Sequence, residues 1–222
     1  MKTAVMAFAL SLATLTAQSA DEAKRISDSV VVLDEIMAAG DKSVPRAILE
    51  KAVGVAVFPS LLKGGFVVGG QRGRGILSAR EAKTGLWSPP AFLTITGGSI
   101  GAQIGGQAID LILVINNRRG LEQLVQNQFK IGADASVAAG PVGRDASAST
   151  DIQMRAQILS YSRTRGLFAG ITLNGSTIRQ DRDANERFYG TAYRTGQIVF
   201  DGLAGAPQSA AHWRDALVKY AK

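Results

Sequence analysis

The chemistry this sequence offers most plainly is positive charge in closely spaced pairs. Arg72 and Arg74 alternate with glycine in "QRGRG", Arg163 and Arg165 stand two apart in "YSRTRG", and Arg118 and Arg119 are adjacent. A guanidinium donates two parallel hydrogen bonds from a planar fork, a geometry that matches phosphate. Residues two apart share a face wherever the segment is extended. Arg118 and Arg119 begin a helix, where they oppose its dipole, and an anionic ligand would offset that cost. Any one pair alone reads as solvated surface. Together the six arginines form the candidate contact for an anionic partner, in keeping with a formal charge of +7.

Other chemistries fail on spacing. "GGSIGAQIGGQ" is glycine-rich, but Gly98, Gly101 and Gly105 do not fit a dinucleotide fingerprint, and no lysine follows them as a P-loop requires. Its small polar and small apolar residues alternate instead. That pattern predicts a sharply curved strand, in which glycine marks a bend, a bulge or the close approach of another backbone. The single histidine, His212, has no nucleophile motif around it and is read as a packing or surface residue. Asp181, Asp183 and Asn185 match the first three ligands of a calcium loop. However, Glu186 stands where the turn glycine belongs and Ala192 where the bidentate glutamate belongs. The segment is therefore read as a polar turn with Asp183 capping the next helix. No catalytic residue, metal site or cofactor is expected, and no enzyme. Nucleic acid is a poor fit as a partner: aromatic residues are only 6% and no basic run or stacking platform exists.

The elements that must hold the arginines follow from periodicity. Ile26, Val30, Leu33 and Met37 recur at helical spacing and predict a helix over 21–39, closed by Gly40. Ser43 and Pro45 open a second short helix. From Val53 the pattern changes to strands: "VGVAVF", "GFVVGG", "GILSA", "AFLTI", "DLILVI". "QRGRG" reads as the turn at a hairpin tip. A helix is predicted over 118–129 on Leu121, Leu124, Val125 and Phe129, then strands around "AQILSYSRT" and "GLFAGITLNGSTI" with Asn174-Gly175 as a turn. A short helix over "DANERFYG" and a last one over 207–221, with Trp213, Leu217 and Tyr220 on one face, complete the chain. The expected fold is α+β. A curved, glycine-rich antiparallel sheet or partial barrel packs with N-terminal, central and C-terminal helices.

Met1-Lys2, the apolar run Ala4–Leu15 and the small residues of "TAQSA" read as a secretory signal peptide over 1–20, cleaved after Ser19 or Ala20. One domain, 21–222, would remain. The 222 residues contain no cysteine, so neither disulfides nor a lipoprotein anchor is expected, and the product should be exported, periplasmic or secreted, and soluble.

Three long segments carry a resemblance. "AVGVAVFPSLLKGGFVVGGQRGRGIL", "GLWSPPAFLTITGGSIGAQIGGQAIDLILVI" and "YSRTRGLFAGITLNGSTIRQDRDANERFYG", in that order, resemble the SYLF-domain family over about residues 25–205. The resemblance implies a non-enzymatic domain that binds phosphoinositides and other acidic lipids, and in some eukaryotic members actin. Bacterial relatives are exported. For this chain it implies binding of acidic phospholipid at a membrane surface of the bacterial envelope. The alternative is an envelope structural or interaction protein with a protein or polysaccharide partner. An amphipathic N-terminal helix helps eukaryotic members engage membranes. The matching region here, 21–39, carries Asp21, Glu22, Asp28, Asp34 and Glu35 against Lys24 and Arg25, an acidic balance unlike a membrane-binding helix.

Overall fold

The computed structural model describes residues 2–40, 43–65, 68–100, 105–142, 155–164, 167–168, 173, 175–205 and 207–221. Helix α1 (Lys2–Met37) runs unbroken through the expected cleavage region, and α2 (Arg46–Lys51) follows. Four long strands come next: β1 (Gly54–Gly65), β2 (Val68–Ala79), β3 (Ala91–Ile100) and β4 (Gly105–Ile115). Helix α3 (Arg118–Leu124) leads into β5 (Gln128–Lys130), β6 (Val137–Ala139), β7 (Ile158–Thr164), β8 (Leu167–Phe168) and β9 (Thr177–Gln180). Helices α4 (Arg182–Tyr189), α5 (Thr195–Val199) and α6 (Ala211–Tyr220) finish the chain. The strands form one curled sheet in the order β5-β9-β3-β2-β1-β4-β7-β6, with β8 paired to the end of β7. Every pairing is antiparallel except that of β6 with β7. The expected α+β architecture is the one observed.

Both faces of the sheet are covered, which explains why β4 is apolar at every position from Leu111 to Ile115. On one face Val55, Val57, Ile76, Phe92, Ile112 and Val114 pack under Ile26, Leu33 and Ile36 of α1 and Trp213 and Leu217 of α6. On the other, Ala56, Phe58, Leu77, Leu93, Leu111 and Leu113 pack with Leu121 and Leu124 of α3 and Ile198 of α5. The indole of Trp213 donates to the Ser78 hydroxyl at 2.9 Å, so its polar edge is satisfied inside the core.

Three acidic residues of α1 dock it to the body. Glu22 accepts from Arg187, Glu35 from Arg163, and Asp34 from Lys219 at 3.1 Å and from the Tyr220 hydroxyl at 2.5 Å. Their excess over basic residues is thus spent on intramolecular pairing.

Several expectations are corrected in detail. "QRGRG" is not a turn: Gln71–Gly75 lies inside β2, paired with β3 along its length and with β1 at Gln71 and Arg72, and the β1–β2 pairing continues beyond it to Gly65 opposite Gly69. Its glycines answer a bulge in β1, where the register shifts and Ser60 takes φ 51°. A Cβ on Gly75 would stand 2.3 Å from the Val57 carbonyl oxygen and 2.5 Å from the Phe58 ring, and one on Gly73 would stand 2.8 Å from Leu61 Cδ1. "GGSIGAQIGGQ" is not one strand. Gly97–Ile100 ends β3 and Gly105–Gln107 starts β4, with β2 and β1 between those strands in the sheet; residues 101–104 lie outside the described residues. Period two survives in both halves because each is extended, but it carries no information about which strands are neighbours. The helix from 118 stops at Leu124, and Phe129 belongs to β5, where it faces Ile178. β8 and β9 do not pair with each other, since β8 joins β7 while β9 lies between β3 and β5; Asn174 falls outside the described residues. Asp181, not Asp183, caps α4, its carboxylate accepting from the Ala184 amide at 3.2 Å. Pro45 is the residue before α2 rather than one inside it. Helix α5 carried no periodic signal, being only five residues long.

Candidate functional site

Alternation along β2 decides where its arginines stand. Ile76 belongs to the face covered by α1, so Arg74 and Arg72, at the same parity, emerge on that face beyond the covered core. Both are exposed, and the side chain of neither has a hydrogen bond or ion pair among the described residues. They sit opposite Thr94 and Thr96 of β3. Here the Asp21–Asp28 stretch of α1, the β1 bulge and the start of α4 enclose a cleft of about 670 Å³, which Arg72 and Arg74 line. Leu62, just past the bulge, lines it too and is 63% exposed, an unusual position for leucine. Leu62 and Arg72 also border a second hollow of about 610 Å³ whose floor is Gly64, Gly70, Gly106 and Ala108. Gly98, Gly70, Gly64 and Gly106 stand side by side across β3, β2, β1 and β4. A Cβ on Gly70 would meet nothing nearer than 3.8 Å and one on Gly98 or Gly106 nothing within 4 Å, so packing among the described residues does not require glycine at these three positions.

The wall of the cleft opposite β2 is built from ion pairs. Glu22, fully buried, accepts from Arg187 Nη2 at 2.8 Å and Nε at 3.2 Å. That carboxylate holds the Arg187 guanidinium above its ordinary value against the opposing effect of burial. Arg25, 6% exposed, donates through Nη1 to Asp181 at 2.9 Å and lies over the Phe92 ring at 5.1 Å. Its Nη2 is buried without a hydrogen-bond partner among the described residues, as is Glu22 Oε2. Lys24 pairs with Asp28 at 2.7 Å one helical turn along. Sequence reasoning met these residues only as a helix with an acidic excess and as a failed calcium loop. The signal available was the charge pattern of "DEAKR" and "DRDANER", whose cross-pairing only the fold supplies.

The other arginines are placed differently. Arg163, on β7, shares the α1 face with Arg72 and Arg74, but it is 13% exposed and held by Glu35 and by Asp110 at 3.2 Å. Burial works to lower its proton affinity, and the two carboxylates more than offset that, leaving it raised. Asp110 in turn accepts from the Ser60 amide at 3.0 Å and so ties β7 to the bulge. Arg165 lies outside the described residues. Arg118 and Arg119 open α3, which packs on the opposite face of the sheet. Arg118 pairs with Glu122 at 2.9 Å and stacks over Phe200 at 3.9 Å, while Arg119 is exposed. The structure therefore gathers Arg72 and Arg74 into one site, uses Arg163 to seat α1, and separates Arg118 and Arg119 from both.

Among the described residues no group of three or more His, Asp or Glu side chains could hold a metal ion, and no helix is long and apolar enough to cross a membrane.

Comparison with known proteins identifies the family. Residues 96–220 match the family model Ysc84, described as a Las17-binding protein actin regulator. Protein YSC84 of Saccharomyces cerevisiae is 31% identical over 85% of this chain and 40% of its own length. LAS seventeen-binding protein 3 of the same yeast is 34% identical over 84% of this chain and 40% of its own. SH3 domain-containing YSC84-like protein 1 of Rattus norvegicus is 34% identical over 76% of this chain and 49% of its own. The chain thus spans about half or less of the length of these curated relatives. The shared residues, which include the second half of the sheet and the helices that cover it, make this chain a member of the Ysc84 family, the SYLF-domain family.

Proposed function

We propose that this chain is a non-enzymatic binding protein that attaches to acidic phospholipid at a membrane surface in the bacterial envelope, which it reaches by export. One observation supports the reading above the rest: two exposed guanidinium groups without partners among the described residues, Arg72 and Arg74, stand beside an exposed leucine at the mouth of a cleft. Basic groups at the lipid phosphates with an apolar side chain at the acyl boundary are what a peripheral membrane contact requires. Arg119 and the net charge of +7 add longer-range attraction. Sedimentation with vesicles of rising phosphatidylglycerol content tests the reading. Binding should grow with anionic fraction and fall with salt, because exposed charges are screened within about 8 Å at physiological ionic strength. A second reading, a protein partner in the envelope, is favoured by the yeast relative LAS seventeen-binding protein 3, whose name describes binding to another protein. Absence of sedimentation at low salt would leave that reading in place of the first.

A further inference from the structure

The charges around the cleft do not sum to a simple anion site. Five cations line it, Lys24, Arg25, Arg72, Arg74 and Arg187, against four carboxylates, Asp21, Asp28, Asp181 and Asp183. Lys24 is taken by Asp28, Arg25 by Asp181, and Arg187 by Glu22 from behind the wall. Two arginines and two aspartates remain: Arg72 and Arg74 on β2, Asp21 on α1 and Asp183 in the first turn of α4. No side chain of the four has a hydrogen bond or ion pair among the described residues, although all border one cavity and Asp183 acts on Arg187, one helical turn along, through charge alone. A group left over at the back of the cavity points the same way. Arg25 is 94% buried, lines the cleft and keeps Nη2 without a partner. A buried guanidinium N–H left unmade is costly, and an incoming oxygen anion would satisfy it.

We propose that the cleft binds a phosphate ester that carries an ammonium group, of the phosphoethanolamine type. The phosphate oxygens take Arg72, Arg74 and the free Nη2 of Arg25, and the ammonium takes Asp21 and Asp183. A bare phosphate would neutralise the arginines and leave two carboxylates facing a dianion. A separated pair of opposite charges matches all four residues at once. This inference rests on the phospholipid reading and names the headgroup that enters the cleft: ethanolamine, whose single ammonium brings no further carboxylate to Asp21 and Asp183.

The test uses the full chain and three soluble probes, O-phosphoethanolamine, glycerol 3-phosphate and ethanolamine, titrated by calorimetry and by amide chemical shifts. Phosphoethanolamine should bind saturably at one site and more tightly than the other two. Arg72→Gln/Arg74→Gln, at side chains that make no bonds among the described residues, should weaken it about tenfold or more, the loss expected when hydrogen bonds to a charged group are removed. Asp21→Asn/Asp183→Asn should remove the preference for phosphoethanolamine over glycerol 3-phosphate while phosphate binding persists. No saturable binding of phosphoethanolamine, equal or tighter binding of glycerol 3-phosphate, or an unaffected arginine variant would overturn the proposal. Vesicles of phosphatidylethanolamine in phosphatidylcholine separate the sources. Vesicle binding competed away by the soluble ester identifies a lipid headgroup. Binding of the soluble ester without vesicle binding upholds the cleft chemistry with a free ligand and removes the lipid reading. Binding of phosphatidylglycerol vesicles without the soluble ester keeps the lipid reading and overturns the cleft assignment.

Discussion

Replacing Gly75 by alanine adds one methyl group where the β1 bulge leaves no room for it. The new Cβ would lie 2.3 Å from the Val57 carbonyl oxygen and 2.5 to 2.8 Å from two carbons of the Phe58 ring. Ordinary contact needs about 3.5 Å, so the backbone oxygen has to retreat by about 1 Å. Val57 is held by its pairing with Ile76 on one side and Ile112 on the other, and Phe58 is fully buried, so neither yields independently. Overpacking of this kind costs about 1–3 kcal/mol, and at about 2–4 °C per kcal/mol for a domain of this size the melting temperature should fall by about 2–12 °C. Gly70→Ala is the control, five residues earlier on the same strand. Its Cβ would find nothing nearer than 3.8 Å, and it should shift the melt by no more than about 0.5 kcal/mol in either direction. Thermal denaturation followed by circular dichroism, with urea titration to check that the m-value is unchanged, measures both. Equal melting temperatures for the two variants, or a larger loss for Gly70→Ala, would refute close approach as the reason for the glycines of "QRGRG".

Trp213→Phe should keep the packing of α6 but leave the fully buried Ser78 hydroxyl without its partner, a loss of about 1–3 kcal/mol by chemical denaturation. Glu22→Gln removes the charge that pairs with Arg187 behind the cleft. A shift of the urea midpoint to lower concentration should appear, smaller than for a fully buried pair because Arg187 is 31% exposed. Asp34 is held below its ordinary value of 3.8, chiefly by the Tyr220 hydroxyl. A depressed carboxylate stabilises the fold above its unfolded value and loses that contribution as pH falls through the folded one. The stability gap between wild type and Asp34→Asn should therefore be constant above about pH 5 and close below pH 3.8, as melts across that range would record. A gap that widens on acidification would contradict the pairing.

Periodicity located most elements because each buries a definite face. Trp213 and Leu217 on α6, Leu121 and Leu124 on α3, and the apolar run of β4 were legible for that reason. Neighbour relations were not. Ile100 pairs with Val68 and Gly105 with Gly65, so a stretch that alternates smoothly is split across the β1–β2 hairpin, and no local signal separates that from one long strand. Arg72 and Arg74 were legible as a basic pair but were assigned to a turn, and only their place inside β2 puts them on one face. Arg163 has the same spacing pattern, yet Glu35 and Asp110, far away in sequence, claim it. Arg25, Glu22 and Arg187 were hidden because a pair joining a helix to another element leaves no spacing to read.

The central claim is that Arg72 and Arg74 hold the protein on an anionic membrane. Each basic group near such a surface contributes about 1 kcal/mol, so losing both should weaken binding by about 30-fold. The direct measurement is sedimentation of wild type and Arg72→Gln/Arg74→Gln with phosphatidylglycerol vesicles at low salt, with folding confirmed by circular dichroism. The account predicts that the folded variant partitions about 30-fold less and that added salt brings the wild type down to the same level. A folded variant that sediments as tightly as the wild type would contradict it.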